Sequence, residues 1–178
     1  MNNRLFKNEQ SGRSMVEMLG VLAIIGVLSV GGIAGYSKAM AKFKLTKAQD
    51  QLTMLLMNIR TAYATSPSYS GLSSSTAVAY NLAPQDMVIG TSLNNAFGGA
   101  VTLSTTNNNL NFSMKFDGLG RETCVSLAST DWGSDGLVSL QVNASTANTV
   151  AALPISLTTA FTQCAQATAS NSITWTYY

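Results

Sequence analysis

The hydrophobic pattern of the first third of the chain predicts one long helix with two different halves. Residues 18–36 contain no charged side chain and are rich in valine, leucine and isoleucine, and a helix of this length can span a bilayer. After Tyr36, apolar residues recur at intervals of three and four, the spacing of one helical face: Ala41, Leu45, Ala48, Leu52, Leu55, Ile59 and Ala62. We therefore predict a helix from about Ser14 to Thr65, with a stripe in its second half that packs on a head domain.

The polar residues of this second half are expected on the side away from the head, and they include Lys42, Lys47, Gln51 and Arg60. No proline interrupts the helix before Pro67, where a run rich in serine and glycine begins. Residues 67–99 show little periodicity, so they predict a flexible or extended connection. One short helix is expected within it, around Pro84 to Val88.

Alternation of apolar and polar residues predicts an antiparallel sheet after this connection. The clearest strand is Leu110 to Phe116, and its predicted partner is Val101 to Ser104, across a turn at residues 107–109. Asp117 and Gly118 are expected to close the second strand of this hairpin. Two further alternating segments predict strands at residues 137–142 and 173–178. A long helix followed by such a sheet gives an α+β fold class.

The two cysteines lie in two short predicted helices, Cys124 within residues 120–129 and Cys164 within residues 157–167. In a membrane-targeted chain the favoured interpretation is a structural disulfide formed in an oxidising compartment, and two buried free thiols are the alternative. A bridge would close a loop of about 40 residues and would stabilise the C-terminal third by about 3 to 4 kcal/mol.

Composition limits the function more than it defines it. With 178 residues, a charged fraction of 10% and a formal net charge of +2, the chain is sized for one head, and no specific nucleic-acid partner is predicted. Histidine is absent, which excludes histidine-based catalytic groups, and neither a phosphate loop nor a metal cluster is recognisable. We predict no enzyme activity and no cofactor.

Two local patterns invite other interpretations. The aspartates in glycine-bearing turns lack the alternating carboxylates and closing glutamate of an EF-hand, so turn formation is the favoured role of Asp117, Asp131 and Asp135. Asn143 begins an Asn-Ala-Ser sequence that fits the N-glycosylation pattern, although an exported bacterial protein need not use it.

Glu17 is the one acid beside the apolar run, where an ionisable group is costly unless it has a partner or reaches the headgroups. It is either an interfacial acid or a charge that pairs with another subunit. A secretory signal peptide is an alternative for the segment, with Ala34 and Gly35 as the small residues of a cleavage site. The apolar run is longer than in such signals, and the helical pattern continues beyond it.

The segment GRSMVEMLGVLAIIGVLSVGG resembles the prepilin signature of type IV pilins and secretion pseudopilins. The resemblance implies a leader of residues 1–12, cleavage between Gly12 and Arg13 by a prepilin peptidase, methylation of the new amino terminus, and pairing of Glu17 with the terminal amine of a neighbouring subunit. Family members usually begin the mature chain with Phe, Met or another apolar residue, so Arg13 is a departure. A second cation near the amine would be expensive to bury.

The C-terminal half resembles type IVb pilins such as the toxin-coregulated pilin, in the order of its strand, turn, cysteine-bearing helix and last strand. The resemblance implies a pilin fold: leader 1–12, long helix 13–66 with the membrane or filament segment 18–36, and head 67–178. Within the head it implies an exposed loop at 67–99, a hairpin at 100–123, a disulfide region at 124–164 bounded by Cys124 and Cys164, and an inner strand at 173–178.

By this resemblance the chain is expected to be a major pilin that forms a homo-oligomeric filament for adhesion, aggregation or DNA transfer. The implied partners are the prepilin peptidase, an inner-membrane assembly platform with its ATPase, and membrane lipid before assembly. The precursor is expected in the bacterial inner membrane and the filament on the cell surface. Alternatives are a minor pilin, a type II secretion pseudopilin, or a single-span anchored binding module that never polymerises.

Overall fold

The computed structural model describes residues 11–133, 135–166 and 169–178, with side chains from Met15 onward. The chain forms two compact units, one that ends at Phe43 and one that comprises Lys44–Tyr178. Helix α1 (Ser11–Ala62) contributes to both. The predicted long helix is confirmed, but it ends before Thr65. The reason is local, because the amides of Ala64 and Ser66 bond to carbonyls three residues earlier and tighten the chain into turns ahead of Pro67.

The described part of the first unit is the first half of α1, which contains the apolar run. Every described side chain from Met15 to Tyr36 is exposed within it. Among the described side chains of this half, Ser29 and Ser37 donate their hydroxyls to the carbonyls of Ile25 and Ile33 one turn earlier. Such bonds satisfy the hydroxyls without water, which suits a helix in an apolar surrounding.

The second unit contains a five-stranded antiparallel sheet with the order β3-β4-β7-β5-β6. Its strands are β3 (Val101–Thr106), β4 (Asn111–Leu119), β5 (Leu137–Val142), β6 (Asn148–Thr149) and β7 (Asn171–Tyr177). The last strand, β7, therefore lies in the middle, bonded to β4 on one side and β5 on the other. The predicted inner position of the C-terminal strand is confirmed.

The inner face of the sheet carries the core. Trp175 of β7 lies between Met114 of β4 and Leu140 of β5, and its ring meets Phe116 and Trp132 edge-on at 5.4 Å each. On α1, the buried apolar residues are Ala48, Leu52, Leu55 and Ile59, which belong to the same core. The predicted stripe is confirmed at these four positions, whereas Ala41 and Ala62 at its ends are exposed.

The outer face of the sheet is polar. Ser104, Ser113, Thr176 and Ser139 lie side by side across four strands, and the hydroxyls of Ser104 and Ser113 are 2.7 Å apart. Because side chains alternate between the faces of a strand, this polar row and the core follow from one pattern.

Three of the polar residues of α1 contradict the prediction that they face away from the head. Lys47 forms an ion pair with Asp86 at 3.0 Å, and Gln51, which is buried, donates its amide to the same carboxylate at 2.9 Å. Burial by itself raises the pKa of Asp86, but the hydrogen bonds from Lys47 and Gln51 and the attraction of Lys47 outweigh it and leave the pKa below its ordinary value. The Asp86 carboxylate thus binds the connecting segment, residues 67–99, to α1.

Arg60 is the third. Its Nη2 donates to the carbonyl of Asp135 at 2.9 Å, and its guanidinium lies 5.5 Å from the ring centre of Tyr177. Burial raises the pKa of Tyr177 to about 12, although Arg60 lowers it in part, so the phenol stays neutral. Gly136 has a φ of 81°, and a Cβ there would overlap the guanidinium. The φ is one that L side chains rarely adopt, so glycine is strongly favoured at this turn, and a Cβ would also displace the guanidinium.

Residues 67–99 hold more structure than an extended connection. They contain helix α2 (Ser74–Ala79), a 3-10 turn at Gln85–Met87 that confirms the predicted short helix, and the paired strands β1 (Val88–Ile89) and β2 (Ser92–Leu93). Five apolar residues of this stretch are buried: Leu72, Ala77, Ala83, Met87 and Leu93. These five residues are spaced too irregularly to show a helical or strand period, so the hydrophobic pattern did not predict their burial.

The predicted hairpin is confirmed with two corrections. Leu110 lies in the turn and is 53% exposed, because three consecutive asparagines with positive φ, at residues 107–109, extend the turn by one residue. Asp117 and Gly118 do not end the strand, which continues to Leu119 through an irregular register. Gly118 adopts a φ of 74° close to the backbone of Gly99, and no side chain would fit between them.

We expect Trp175→Ala to destabilise the head by about 3 to 5 kcal/mol, because it opens a cavity at the centre of the core. Urea unfolding of the detergent-solubilised chain, followed by circular dichroism, measures the change. Thr176→Ala, on the opposite face of the same strand, is the matched control and should cost far less. Equal losses for the two variants would contradict the assignment of the faces.

We expect Asp86→Asn to lower the stability at pH 7 by no more than about 1 kcal/mol, because both partners are partly exposed. The carboxylate contributes fully above its ordinary pKa of 3.8 and loses the contribution as the pH falls through the lower folded-state value. The difference between variant and unaltered chain should therefore shrink in acid. Asp50→Asn, which removes an exposed acid of α1, is the control, and a pH-independent difference would refute the role of the ion pair.

Candidate functional site

The first unit is a candidate membrane and assembly segment because of what it exposes. The helix from Met15 to Ala62 is long and apolar enough to cross a membrane, and none of its most apolar stretch is buried. Large apolar side chains such as Val27 and Val30 are more than 70% exposed. Apolar surface of this extent is unfavourable in water, so lipid or other helices must cover it.

The predicted processing site lies at the start of this helix. Gly12 and Arg13 fall within the helical backbone of α1. The side chain of Arg13 and residues 1–10 of the predicted leader lie outside what the structure describes. Glu17 is exposed, and it makes no ion pair with any described side chain. Its carboxylate is therefore open to a partner from another molecule.

The predicted disulfide between Cys124 and Cys164 is confirmed. It joins helix α3 (Arg121–Ala128) to the residue that caps helix α4 (Leu157–Gln163), and both cysteines are fully buried. The predicted helix over residues 157–167 ends earlier, at Gln163, and residue 167 lies outside the described residues. On the surface, the guanidinium of Arg121 lies 4.0 Å from the ring centre of Phe161 and links the same two helices.

Beside the disulfide, asparagine side chains hold the loops. Asn171, fully buried at the start of β7, donates to the carbonyls of Leu119 and Gln166 and accepts from Asn143 at 3.0 Å. Asn143 also donates to the carbonyl of Gln163 at 2.9 Å. Its amide nitrogen is thus engaged inside the head, and a glycan on it would break these bonds. The N-glycosylation pattern is explained as a structural asparagine in a tight turn with a φ of 52°.

The aspartates of the turns have local partners. Asp117 forms an ion pair with Lys115 at 2.9 Å, and Asp131 accepts from the amide of Gly133, which is the turn role predicted for it. Asp135 supplies its carbonyl to Arg60. Across the described residues, no three side chains of the metal-binding types come together. Ser134, beside Asp135, lies outside the described residues.

Comparison with known proteins gives a family and a fold. A family model described as PilS N terminal matches residues 43–178. The type IVb pilin from Salmonella typhi is similar in structure, with a TM-score of 0.59 and 19% identity, over 76% of this chain and 98% of that chain. TcpA, a type IV pilin from Vibrio cholerae El Tor biotype, has a TM-score of 0.51 and 19% identity, over 76% of this chain and 99% of that chain. The search of curated proteins gives no match.

At this identity the two solved structures support the fold alone, and the family model carries the assignment. Its match includes the whole of the second unit, from the amphipathic part of α1 to the central strand β7. The expected type IVb-like architecture, with its disulfide and its sheet, is confirmed, and the family is structural rather than enzymatic. The chain belongs to the type IV pilin family, with a PilS N-terminal domain.

Proposed function

We propose that this chain is the major subunit of a type IV pilus, held in the inner membrane as a precursor and then assembled into an extracellular filament. The observation that carries the proposal is the exposed apolar half of α1 in a chain whose head has the pilin fold. In the membrane, lipid covers this surface. In a filament, the same surfaces of neighbouring helices cover one another.

The replacement of lipid by neighbouring helices explains why residues 18–36 are apolar on all sides of the helix. A helix that packed only against its own head domain would need a single apolar stripe. Between Met18 and Tyr36 there is no charged side chain to favour one direction of approach, and the described glycines of the segment leave open space around their Cα atoms. Helices can approach such positions closely from several sides.

Processing sets the first residue of the assembling subunit. Cleavage by a prepilin peptidase after Gly12 creates an amino terminus at Arg13, four residues before Glu17. In the filament, Glu17 pairs with this terminus on a neighbouring subunit. Arg13 adds a second cation to the pair, and its long side chain can keep its charge towards a wetter region. An inner-membrane platform with its ATPase extracts the subunits.

The major-subunit role is supported over the minor-pilin or pseudopilin role by the disulfide region and the ending of the head. The bridge spans 40 residues, and the last strand lies at the centre of the sheet, as expected for type IVb-like pilins. A non-polymerising anchored module would retain residues 1–12, because nothing would require their removal.

We expect the mature protein to begin at Arg13, and Gly12→Val to leave residues 1–12 attached. Amino-terminal sequencing and mass spectrometry of the chain purified from membranes or from sheared filaments measure both. The control is Gly20→Val, eight residues after Gly12, which is not expected to affect cleavage. An intact leader on the unaltered mature protein would contradict the proposed processing.

We expect Glu17→Ala to leave membrane insertion and cleavage intact and to reduce sheared filaments by at least about tenfold, because the subunit loses its partner charge. Electron microscopy counts the filaments, and mass spectrometry identifies their main component. Glu122→Ala, an exposed acid on α3, is the control. Normal filaments from Glu17→Ala would rule out the pairing, and only traces of this chain in the filaments of the unaltered strain would rule out the major-subunit role.

A further inference from the structure

The face of α1 opposite the core of the head carries an exposed acid followed by two exposed methionines. Asp50, Met54 and Met57 follow one another at intervals of four and three residues, so they share one side of the helix. All three are exposed, the methionines by 53% and 63%, whereas Leu52 and Leu55 between them are buried. Apolar surface beside a free charge on a helix is typical of an interaction surface.

Asp50 forms no ion pair or side-chain hydrogen bond with any residue that the structure describes. The one cation within a turn of it is Lys47, whose ammonium is bound to Asp86 at 3.0 Å. Lys44 is exposed and also forms no ion pair with a described side chain. It lies six residues before Asp50, which places it about 9 Å away along the axis and about a third of a turn around the helix. The two therefore cannot meet within one chain.

We propose that Asp50 of one subunit pairs with Lys44 of the next subunit, across a face that Met54 and Met57 complete. The occupant of the face is a second copy of this chain in parallel orientation, because the same helix carries the acid and, about 9 Å towards its amino terminus, the complementary cation. This inference rests on the proposed filament, and it adds a second charged contact, in the head, to the one at Glu17.

The two contacts require displacements of the neighbour in the same direction along the helix and of similar size. Pairing of Glu17 with an amino terminus at residue 13 needs a shift of four residues, or about 6 Å along the axis. Pairing of Asp50 with Lys44 needs six residues, or about 9 Å, in the same direction, since the acid is C-terminal to the cation in both pairs. The flexible stem of a lysine covers the difference of about 3 Å. A shift in the opposite direction would separate both pairs.

A pair of this kind sets the register more than it adds affinity. Part of its attraction is offset by the loss of water from both charges, whereas a neighbour shifted by a wrong amount would leave Asp50 buried beside methionines without a partner. The methionines contribute apolar contact that adapts to the opposing surface. Lys44 and Asp50 thus select one axial position among the many that the smooth apolar half allows.

Charge reversal tests the pairing. Asp50→Lys and Lys44→Asp should each lower the amount of sheared filament by at least about tenfold, because each places like charges together. The double variant restores opposite charges and should return to within about threefold of the unaltered chain. Glu122→Lys on α3 is the control. Cleavage and the Cys124–Cys164 bridge are checked in every variant, so that a folding failure is recognised.

Cross-linking tests the register. In Asp50→Cys/Lys44→Cys filaments, a short bis-maleimide should produce a ladder of dimers, trimers and higher species, because each subunit is linked to two others; the native cysteines are buried and bonded. Asp50→Cys/Lys38→Cys, with a separation of about 18 Å along the axis, is the control and should give no ladder. Filaments of normal yield from Asp50→Lys, a failure of the double swap to recover, or filaments without a ladder would each overturn the pairing and leave the pilus function standing. Absence of this chain from filaments would overturn the function itself.

Discussion

The burial of one stripe of α1 against the sheet is the interaction on which the rest of the head depends. Leu52, Leu55 and Ile59 fill the inner face of a sheet whose middle strand is the last one in sequence. The first and last elements of the head therefore share one core, and the intervening loops are closed around it. The disulfide closes a further loop within the head, from Cys124 to Cys164 with a sequence separation of 40, and restricts the unfolded chain there.

The sequence predicted the elements whose period is regular. The two halves of α1, the alternation of β5 and β7 and the pairing of β3 with β4 each repeat a simple spacing, so their position could be read without the structure. The central position of β7 was different, since periodicity does not specify strand order, and it came from the likeness to type IVb pilins. The cysteine pairing followed from there being only two cysteines in an exported chain.

The contacts that the sequence did not predict depend on single side chains rather than on a periodic pattern. Gln51 occupies a polar position of α1 and is nevertheless buried, because Asp86 arrives from a loop 35 residues away to accept its hydrogen bond. Asn171 similarly donates its side-chain amide to the carbonyls of Leu119 and Gln166, where the register between β4 and β7 is irregular. Such contacts depend on the path of the loops, so no local sequence pattern predicts them. The proposed roles of Gly12, Arg13 and Glu17 rest on the prepilin-like sequence motif.

The arrangement of charge along α1 follows from the two environments it serves. In the apolar half, a charge would be costly in lipid and in a helix bundle, so acids and bases are confined to the ends. In the head, Lys47 forms an ion pair with Asp86, and Arg60 donates to the carbonyl of Asp135. Lys38, Lys42, Lys44 and Asp50 of α1 are left at the surface, and among them Asp50 is the acid. Since a helix that is smooth and apolar on all sides cannot define its own axial position, these remaining charges are the groups able to define it for a neighbouring helix.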